Sequence, residues 1–183
     1  MEIVLWLVWI VIIIIFVVIV ISVRKVVPKD EVHILKMWNK VIVKGRIFYE
    51  WNIYYYFPKY IPYFGISWVK KLPLWVFDIE LLNYQAYDSG KIPFNVDITA
   101  FFVIKDPELA AKRVADFEEL KDQLVEVVKG TVRKILAQYD IQEIMDAKWE
   151  LTQKLYEELT NAVKKWWVEL KNIVFMYISD VNK

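Results

Sequence analysis

The sequence predicts an α+β fold that follows an N-terminal transmembrane helix. Three observations support this prediction: an unbroken apolar run from Ile3 to Ile21, alternating apolar and polar residues over 95–104, and helical periodicity over 106–166. After the helices, residues 168–181 return to the pattern of a strand. Strands followed by a block of helices and a closing strand are typical of the α+β class, because the helices then cover one face of an antiparallel sheet.

The first predicted element is a helix of membrane length. The 19 residues from Ile3 to Ile21 extend about 28 Å as a helix, close to the hydrocarbon thickness of a bilayer. Only Glu2 lies between Met1 and this run, and no small-residue cleavage site follows it. We therefore expect residues 1–23 to remain as an anchor rather than to be removed as a signal peptide. The alternative, a core helix of a soluble protein, would need apolar partners on every face, because the run has no polar stripe.

Charge predicts the orientation of this helix. All 24 Lys and Arg residues follow Ile21, and the first two, Arg24 and Lys25, come just after the apolar run. Basic residues are enriched on the cytoplasmic side of membrane helices. We therefore expect a single-pass protein of the cell membrane with a cytoplasmic domain over residues 24–180, and we expect Arg24 and Lys25 to lie at the membrane interface.

Composition excludes several classes of function. The net charge of +1 leaves no basic excess to neutralise nucleic-acid phosphates, so we expect no nucleic-acid partner. The chain has no Cys, which excludes disulfides, thiolate catalysis and Cys-based metal sites. The single histidine, His33, lies in a predicted strand and the chain has no G-x-S-x-G motif. His33 is therefore more simply a core or surface residue, and we expect no enzyme activity, no cofactor and no metal site.

Short strands are predicted between the anchor and residue 104. Strands are predicted over residues 32–37 and 41–47, which flank Trp38, Asn39 and Lys40, and residues 74–82 form another extended run. Over residues 95–104 an apolar side chain occupies every second position, which predicts a strand with one buried face. The segment Asp88–Lys91, with Ser and Gly between its ends, predicts a tight turn before that strand.

Helices are predicted from residue 106 onwards. Asp106 precedes Pro107, which places an N-cap residue before a proline at the first helical position and starts a short helix that ends near Ala115. Apolar residues at helical spacing predict two longer helices, over residues 117–139 and 148–166, with a helical turn between them.

Two further details predict positions of individual residues in this region. Gly130 lies inside the first long helix, where glycine is unfavourable, so it marks a candidate close crossing of two elements. In the last strand most of the apolar residues have even numbers, which predicts that they share one face. These are Val168, Leu170, Val174, Met176 and Ile178.

Six segments form an ordered set. They are Val27–Ile34, Asp88–Pro107, Phe117–Leu120, Val132–Ala137, Ile141–Met145 and Trp167–Ile173. None is specific alone, but together they resemble the stomatin/prohibitin/flotillin (SPFH, or band 7) superfamily from the anchor to Asp180. The given sequence ends at Lys183, where family members usually continue into a long coiled coil. The chain is therefore similar to a flotillin-like member that lacks the C-terminal coiled coil.

This resemblance carries expectations about fold and function. It implies an SPFH-type domain with a small antiparallel sheet, two long helices and a final strand. It also implies a non-enzymatic scaffold that self-associates laterally and organises membrane patches, or microdomains, or membrane protein complexes. The expected partners are membrane lipids and further copies of the chain. The alternative is a regulatory subunit that binds a membrane protease or channel without forming large homo-oligomers.

Residues 51–68 are unusually rich in aromatic side chains. Pro58, Pro62 and Gly65 prevent a regular helix, so the rings cannot all face one core. Tyr and Trp suit headgroup depth, which makes the segment a candidate membrane interface. Two alternatives stay open, namely that the rings cap the core of the small sheet or contact a protein partner. The candidate interfacial rings are Trp51, Tyr54, Tyr55, Tyr56, Phe57, Tyr60, Tyr63 and Phe64.

The first long helix has acidic residues near its start and basic residues near its end. This order matches the helix macrodipole, which is a sufficient structural explanation. The functional hypothesis is a head-to-tail contact in a ring, where the acidic end of one protomer meets the basic end of the next. The candidate contact residues are Glu118, Glu119, Asp122, Lys129, Arg133 and Lys134.

Overall fold

The computed structural model of the protein describes residues 2–37, 40–45, 52–61 and 65–180. It divides the chain into two compact units, Met1–Lys71 and Leu72–Lys183. We call these the N-terminal unit and the C-terminal unit. The proposed division into an anchor over 1–23 and one domain over 24–180 stays a prediction.

The N-terminal helix, α1, spans Glu2–Val23 and confirms that the apolar run is helical. Residues Trp6–Val23 have a mean hydropathy of 3.4, and none of this stretch is buried. Among the described residues, α1 is the one helix long and apolar enough to cross a membrane. Because none of Trp6–Val23 is buried by the described residues, the alternative of a core helix in a soluble protein does not agree with this structure.

The N-terminal unit continues with two small β-sheets. Strand β1, Arg24–Val26, pairs antiparallel with β4, Ile53–Tyr55, and forms a two-stranded ribbon. The strands predicted over 32–37 and 41–47 correspond to β2, Glu31–Met37, and β3, Lys40–Gly45, which pair as an antiparallel hairpin. Residues 46 and 47 of this prediction lie outside the described residues. Strand β5, Ile66–Pro73, lies on the other side of β2. The core of this unit contains Val27, Leu35, Tyr54 and Ile66.

The sheet of the C-terminal unit has three antiparallel strands in the order β6-β7-β8. Their bounds are Phe77–Tyr87, Pro93–Ile104 and Val168–Asp180. The predicted turn joins β6 to β7, because the amide of Ile92 donates to Asp88 Oδ1 over 2.7 Å. The predicted alternation in β7 is confirmed, since all its even-numbered residues are buried.

The extended run predicted over 74–82 begins later, at Phe77, and continues to Tyr87 through a bulge. The register with β7 shifts between Leu81 and Tyr84, where one extra residue is accommodated. Asn83 takes a left-handed conformation with φ 55°, and its amide donates to Asp97 Oδ1 over 2.6 Å. Buried positions are therefore odd-numbered before the bulge and even-numbered at Ala86.

The prediction that Val174 shares a face with Val168 is wrong. Val168 is buried, but Val174 is 37% exposed while its neighbours Ile173 and Phe175 are buried. Opposite β7, the register steps over Lys171, so β8 has a bulge there. An extra residue moves the side chains that follow it to the other face of the sheet, here as far as a second register shift between Phe175 and Tyr177. The predicted positions of Met176 and Ile178 lie outside the described side chains.

Four α-helices and one 3₁₀ turn lie between β7 and β8 in the described chain. The short first helix ends before Ala115, because Asp116 begins the next helix as its N-cap. The last long helix becomes a 3₁₀ turn and stops at Trp167, whose φ is 60°. The bounds are α2 Pro107–Ala111, α3 Phe117–Leu136, α4 Ile141–Asp146, α5 Lys148–Val163 and the 3₁₀ turn Lys164–Trp166.

The two long helices pack against each other, and they cover the sheet with α3 on β6 and α5 on β8. Their buried stripes contain Leu120, Leu124 and Val128 in α3 and Leu151, Leu155, Leu159 and Val163 in α5. The predicted close crossing at Gly130 is wrong. Gly130 lies about 200° around the helix axis from Val128, and a Cβ at Gly130 would meet nothing within 4 Å.

Candidate membrane-proximal site

The β1–β4 ribbon is joined directly to the end of α1. Strand β1 begins at Arg24, immediately after the last residue of the helix, Val23. The amide of Tyr56 donates to the carbonyl of Val23 over 2.7 Å, so the residue that follows β4 is bonded to the helix end. The antiparallel register places Arg24 opposite Tyr55 and Lys25 opposite Tyr54. The predicted basic and aromatic interface residues are thus brought together within a few residues of α1.

Tyr54 belongs to the core of the N-terminal unit rather than to its surface. The residue is 9% exposed, and its ring meets the His33 ring edge to face with centroids 5.7 Å apart. Burial, and to a smaller extent the charge of Tyr56, raises the pKa of Tyr54 above its ordinary value of 10.0. For this residue the structure supports the alternative that the ring caps the core.

His33 connects Tyr54 to a carboxylate. Its Nδ1 lies 3.1 Å from the hydroxyl oxygen of Tyr54, and its Nε2 lies 3.1 Å from Glu31 Oε2. A neutral ring satisfies both contacts when Nε2–H donates to the carboxylate and Nδ1 accepts from the hydroxyl. The sequence was compatible with a core or a surface position for His33, and in the structure His33 is buried between Tyr54 and Glu31.

The other interfacial candidates differ in exposure because neighbouring residues of a strand face opposite sides. Tyr55 and Tyr56 are exposed, Tyr60 is 79% exposed, and Phe57 is half-buried. The exposed rings are therefore free to contact either a membrane surface or a protein partner, and both alternatives stay open. Three further candidates, Trp51, Tyr63 and Phe64, lie outside the described residues.

The loop after β4 closes on itself. The amide of Ile66 donates to the carbonyl of Phe57 over 2.9 Å, and that of Gly65 donates to Ile61 over 2.8 Å. Gly65 is needed for this closure, because a Cβ there would lie 2.6 Å from the carbonyl oxygen of Pro58. Tyr60 lies at the surface between the residues that these bonds join.

An apolar cavity of about 220 Å³ lies between the ribbon and the β2–β3 hairpin. Its only charged lining residue among those described is Lys44. The sequence could not indicate this cavity, because its walls come from four strands, β2 to β5, and from the loop after β4. The lining residues are Leu35, Met37, Ile42, Lys44, Ile53, Tyr54, Tyr55, Phe57 and Ile66.

In the C-terminal unit, the predicted oligomer contacts fall largely on one line of helix α3. Successive members are separated by three or four residues, so they face the same side of the helix. The line is about 23 Å long, with acidic residues at its start and basic residues at its end. We call it the α3 charge stripe, and it contains Glu118, Asp122, Glu126, Lys129 and Arg133.

Several of the predicted contact residues already have partners within the chain. Lys134 Nζ lies 3.1 Å from Glu158 Oε2, and Arg133 Nη2 donates to the hydroxyl of Tyr84 over 3.0 Å. The Glu119 carboxylate accepts from Gln123 Nε2 over 2.9 Å and from the amide of Ala115.

The remaining members of the predicted set differ in whether they form an ion pair with another described residue. Lys129 Nζ lies 2.8 Å from Glu126 Oε1, one turn away on the same helix. Glu118 and Asp122 are exposed and form no ion pair with another described residue. The acidic start of the α3 charge stripe is thus its most available part.

Within the described ranges, no three His, Asp or Glu side chains converge as ligands for a metal ion. The most buried carboxylate in these ranges, Asp88, is 2% exposed, and one of its oxygens holds the turn between β6 and β7 through the amide of Ile92. That role is structural, because the carboxylate replaces a backbone acceptor in the turn.

The fold and the site together define a membrane-associated α+β protein in which an exposed apolar helix runs directly into a small β-unit. The model of the SPFH domain / Band 7 family matches residues 50–181, which are 132 of the 183 residues. The chain therefore belongs to the SPFH domain / Band 7 family. Members of this family are in general membrane-associated, scaffold-like proteins without enzymatic activity. A comparison with curated proteins gave no match.

Proposed function

We propose that this protein is a non-enzymatic scaffold that α1 holds in the cell membrane and that self-associates along the membrane plane. Helix α1 crosses once, and the chain after it faces the cytoplasm. The single observation that supports the proposal most is that none of Trp6–Val23 in α1 is buried, although the helix connects directly to a folded unit. The family supports the scaffold role in general terms.

The exposure of α1 requires an apolar environment. Transferring one large apolar side chain out of water is favourable by about 1.5–3 kcal/mol. With 18 residues of α1 unburied, the helix would be unfavourable in water by tens of kcal/mol on that scale. A bilayer removes this cost, and the basic residues after Val23 favour a cytoplasmic position for the two units.

Self-association is proposed through the α3 charge stripe. An exposed ion pair contributes only about 0.2–1 kcal/mol, so a few pairs cannot hold two freely diffusing copies together. Anchoring changes this balance, because copies confined to one membrane meet at a high effective concentration. Weak complementary contacts between the acidic start of one stripe and the basic end of the next are then sufficient for lateral assembly.

The test is the particle mass of the full-length protein extracted in mild detergent. Light scattering after size exclusion gives this mass once the detergent contribution is subtracted. We expect a discrete mass of many protomers. A monomeric mass would contradict self-association, and co-purification of a different membrane protein would then favour the alternative, a regulatory subunit of a membrane protease or channel.

A further inference from the structure

Charge is distributed unequally between the two units. Residues 24–71, the N-terminal unit without α1, contain ten Lys and Arg residues and three Asp and Glu residues, a net charge of +7. Residues 72–183 contain 14 basic and 19 acidic residues, a net charge of −5. The net charge of the whole chain is only +1, yet the residues that follow the apolar helix form a strongly basic unit.

Seven of the ten basic side chains of this unit are available for an external partner. All seven are exposed, and none of them forms an ion pair with another described residue. In the C-terminal unit, by contrast, four lysines form ion pairs with carboxylates of the same chain. The seven are Arg24, Lys25, Lys29, Lys36, Lys40, Lys59 and Lys71.

The connection to α1 brings part of this charge to the membrane surface. The three residues of β1 extend about 10 Å from the end of the helix. This distance is close to the Debye length of about 8 Å at physiological ionic strength. Arg24 and Lys25 therefore lie where the potential of charged headgroups is still strong, whatever the charge of the rest of the protein.

We propose that the basic surface of residues 24–71 binds the anionic headgroups of phospholipids around α1, an inference that rests on the proposed anchoring of this helix in the membrane. A basic side chain at an anionic surface favours association by about fivefold. Exposed Tyr55 on the same ribbon and exposed Tyr56 directly after it suit headgroup depth. The protein would thus collect anionic lipid around each anchor.

Electron spin resonance of spin-labelled lipids tests the proposal on the full chain reconstituted in phosphatidylcholine vesicles with a minor fraction of phosphatidylglycerol. Lipids in contact with the protein give a motionally restricted component. We expect spin-labelled phosphatidylglycerol to be enriched at least about threefold over spin-labelled phosphatidylcholine in this component. Salt at 1 M should reduce the enrichment, because the Debye length falls to about 3 Å.

A matched pair of variants assigns the effect to the N-terminal unit. Replacing Arg24, Lys25 and Lys29 by Gln should lower the enrichment to less than half of its original value. The control replaces one Arg and two Lys of the C-terminal unit by Gln, and it should leave the enrichment unchanged. The control positions are Arg113, Lys105 and Lys148, all of which are exposed.

The outcomes separate this inference from the proposed function. If the unmodified protein restricts the two lipids equally, the proposed lipid preference is wrong but the anchoring is not. The same conclusion follows if the two triple variants lose the same amount of phosphatidylglycerol enrichment. Salt-sensitive particle mass without any lipid preference would also overturn the inference, and would indicate that these cations contact acidic units of other copies. No restricted lipid of either kind would mean that α1 is not in the bilayer, which contradicts the proposed function itself.

Discussion

At the scale of single residues, the hydrogen bond between Tyr54 and His33 indicates that Tyr54, unlike its exposed neighbours, serves to stabilise the fold. Replacing Tyr54 by Phe keeps the ring but leaves Nδ1 of buried His33 without its hydroxyl partner. An unsatisfied buried polar atom costs about 1–3 kcal/mol, so we expect a loss of that size in denaturant unfolding. The control Tyr55→Phe makes the same change at an exposed site and should stay within about 0.5 kcal/mol. Equal effects of the two variants would contradict the core position of Tyr54.

The raised pKa of Tyr54 gives a second prediction at this scale. Between pH 10 and the raised pKa, the folded chain keeps the phenol proton that the unfolded chain loses, so the folded state binds more protons. This contribution to stability is complete below pH 10 and is lost as the pH rises further. We expect the stability difference between the unmodified protein and Tyr54→Phe to narrow above pH 10. A constant difference would show that burial does not affect this phenol.

Two glycines should respond to alanine in opposite directions. Gly130 lies in open space inside α3, so Gly130→Ala should stabilise the fold by about 0.5–1 kcal/mol through helix propensity. Gly45 lies opposite Val32 in the β2–β3 hairpin, and a Cβ there would approach Val32 Cγ2 to 2.9 Å. Gly45→Ala should therefore destabilise by about 1–3 kcal/mol. Thermal unfolding measures both, and a loss of stability for Gly130→Ala would indicate that this face of α3 packs against another molecule.

At the scale of elements, the start of α3 depends on its N-cap. The side chain of Asp116 accepts a hydrogen bond from the amide of Glu119 over 2.9 Å. Asp116→Ala removes this acceptor and should cost about 1 kcal/mol, whereas Asp116→Asn keeps an acceptor and should cost much less. Circular dichroism during denaturant unfolding measures the two losses. Similar losses would mean that the carboxylate charge matters more than the hydrogen bond.

The sequence predicted those elements in which the alternation of buried and exposed side chains runs without interruption from one end to the other. Strand β7 is one example, because its buried residues alternate without interruption, and α3 is another, because it has a clear N-cap and apolar stripe. The bulges at Lys171 in β8 and near Asn83 in β6 were missed, since an extra residue becomes visible only opposite the partner strand. The face predicted for Val174 was therefore wrong.

The candidate site was predictable only in part for the same reason. The sequence placed basic and aromatic residues near α1, but it could not separate buried Tyr54 from exposed Tyr55. That separation depends on the pairing of β1 with β4, two strands of three residues that lie far apart along the chain. The buried contact between His33 and Tyr54 was missed too, because it joins positions 21 residues apart.

At the scale of the whole molecule, charge reversal tests the proposed lateral contact. The variant Glu118→Lys/Asp122→Lys makes the α3 charge stripe basic, and Lys129→Glu/Arg133→Glu makes it acidic. Each variant alone should give smaller particles, because like charges then meet. An equimolar mixture should restore large particles by alternating the two kinds of protomer. Light scattering measures these masses, and unchanged particles for both single preparations would show that assembly uses another surface.

The direct junction between α1 and the ribbon has a mechanical consequence. A helix adjusts to a thinner bilayer by tilting, at a modest energetic cost. Here no flexible linker absorbs that rotation, since the carbonyl of Val23 is bonded to the amide of Tyr56. If α1 tilts in this way, the ribbon must turn with it, so the orientation of the ribbon depends on the thickness of the bilayer around the helix.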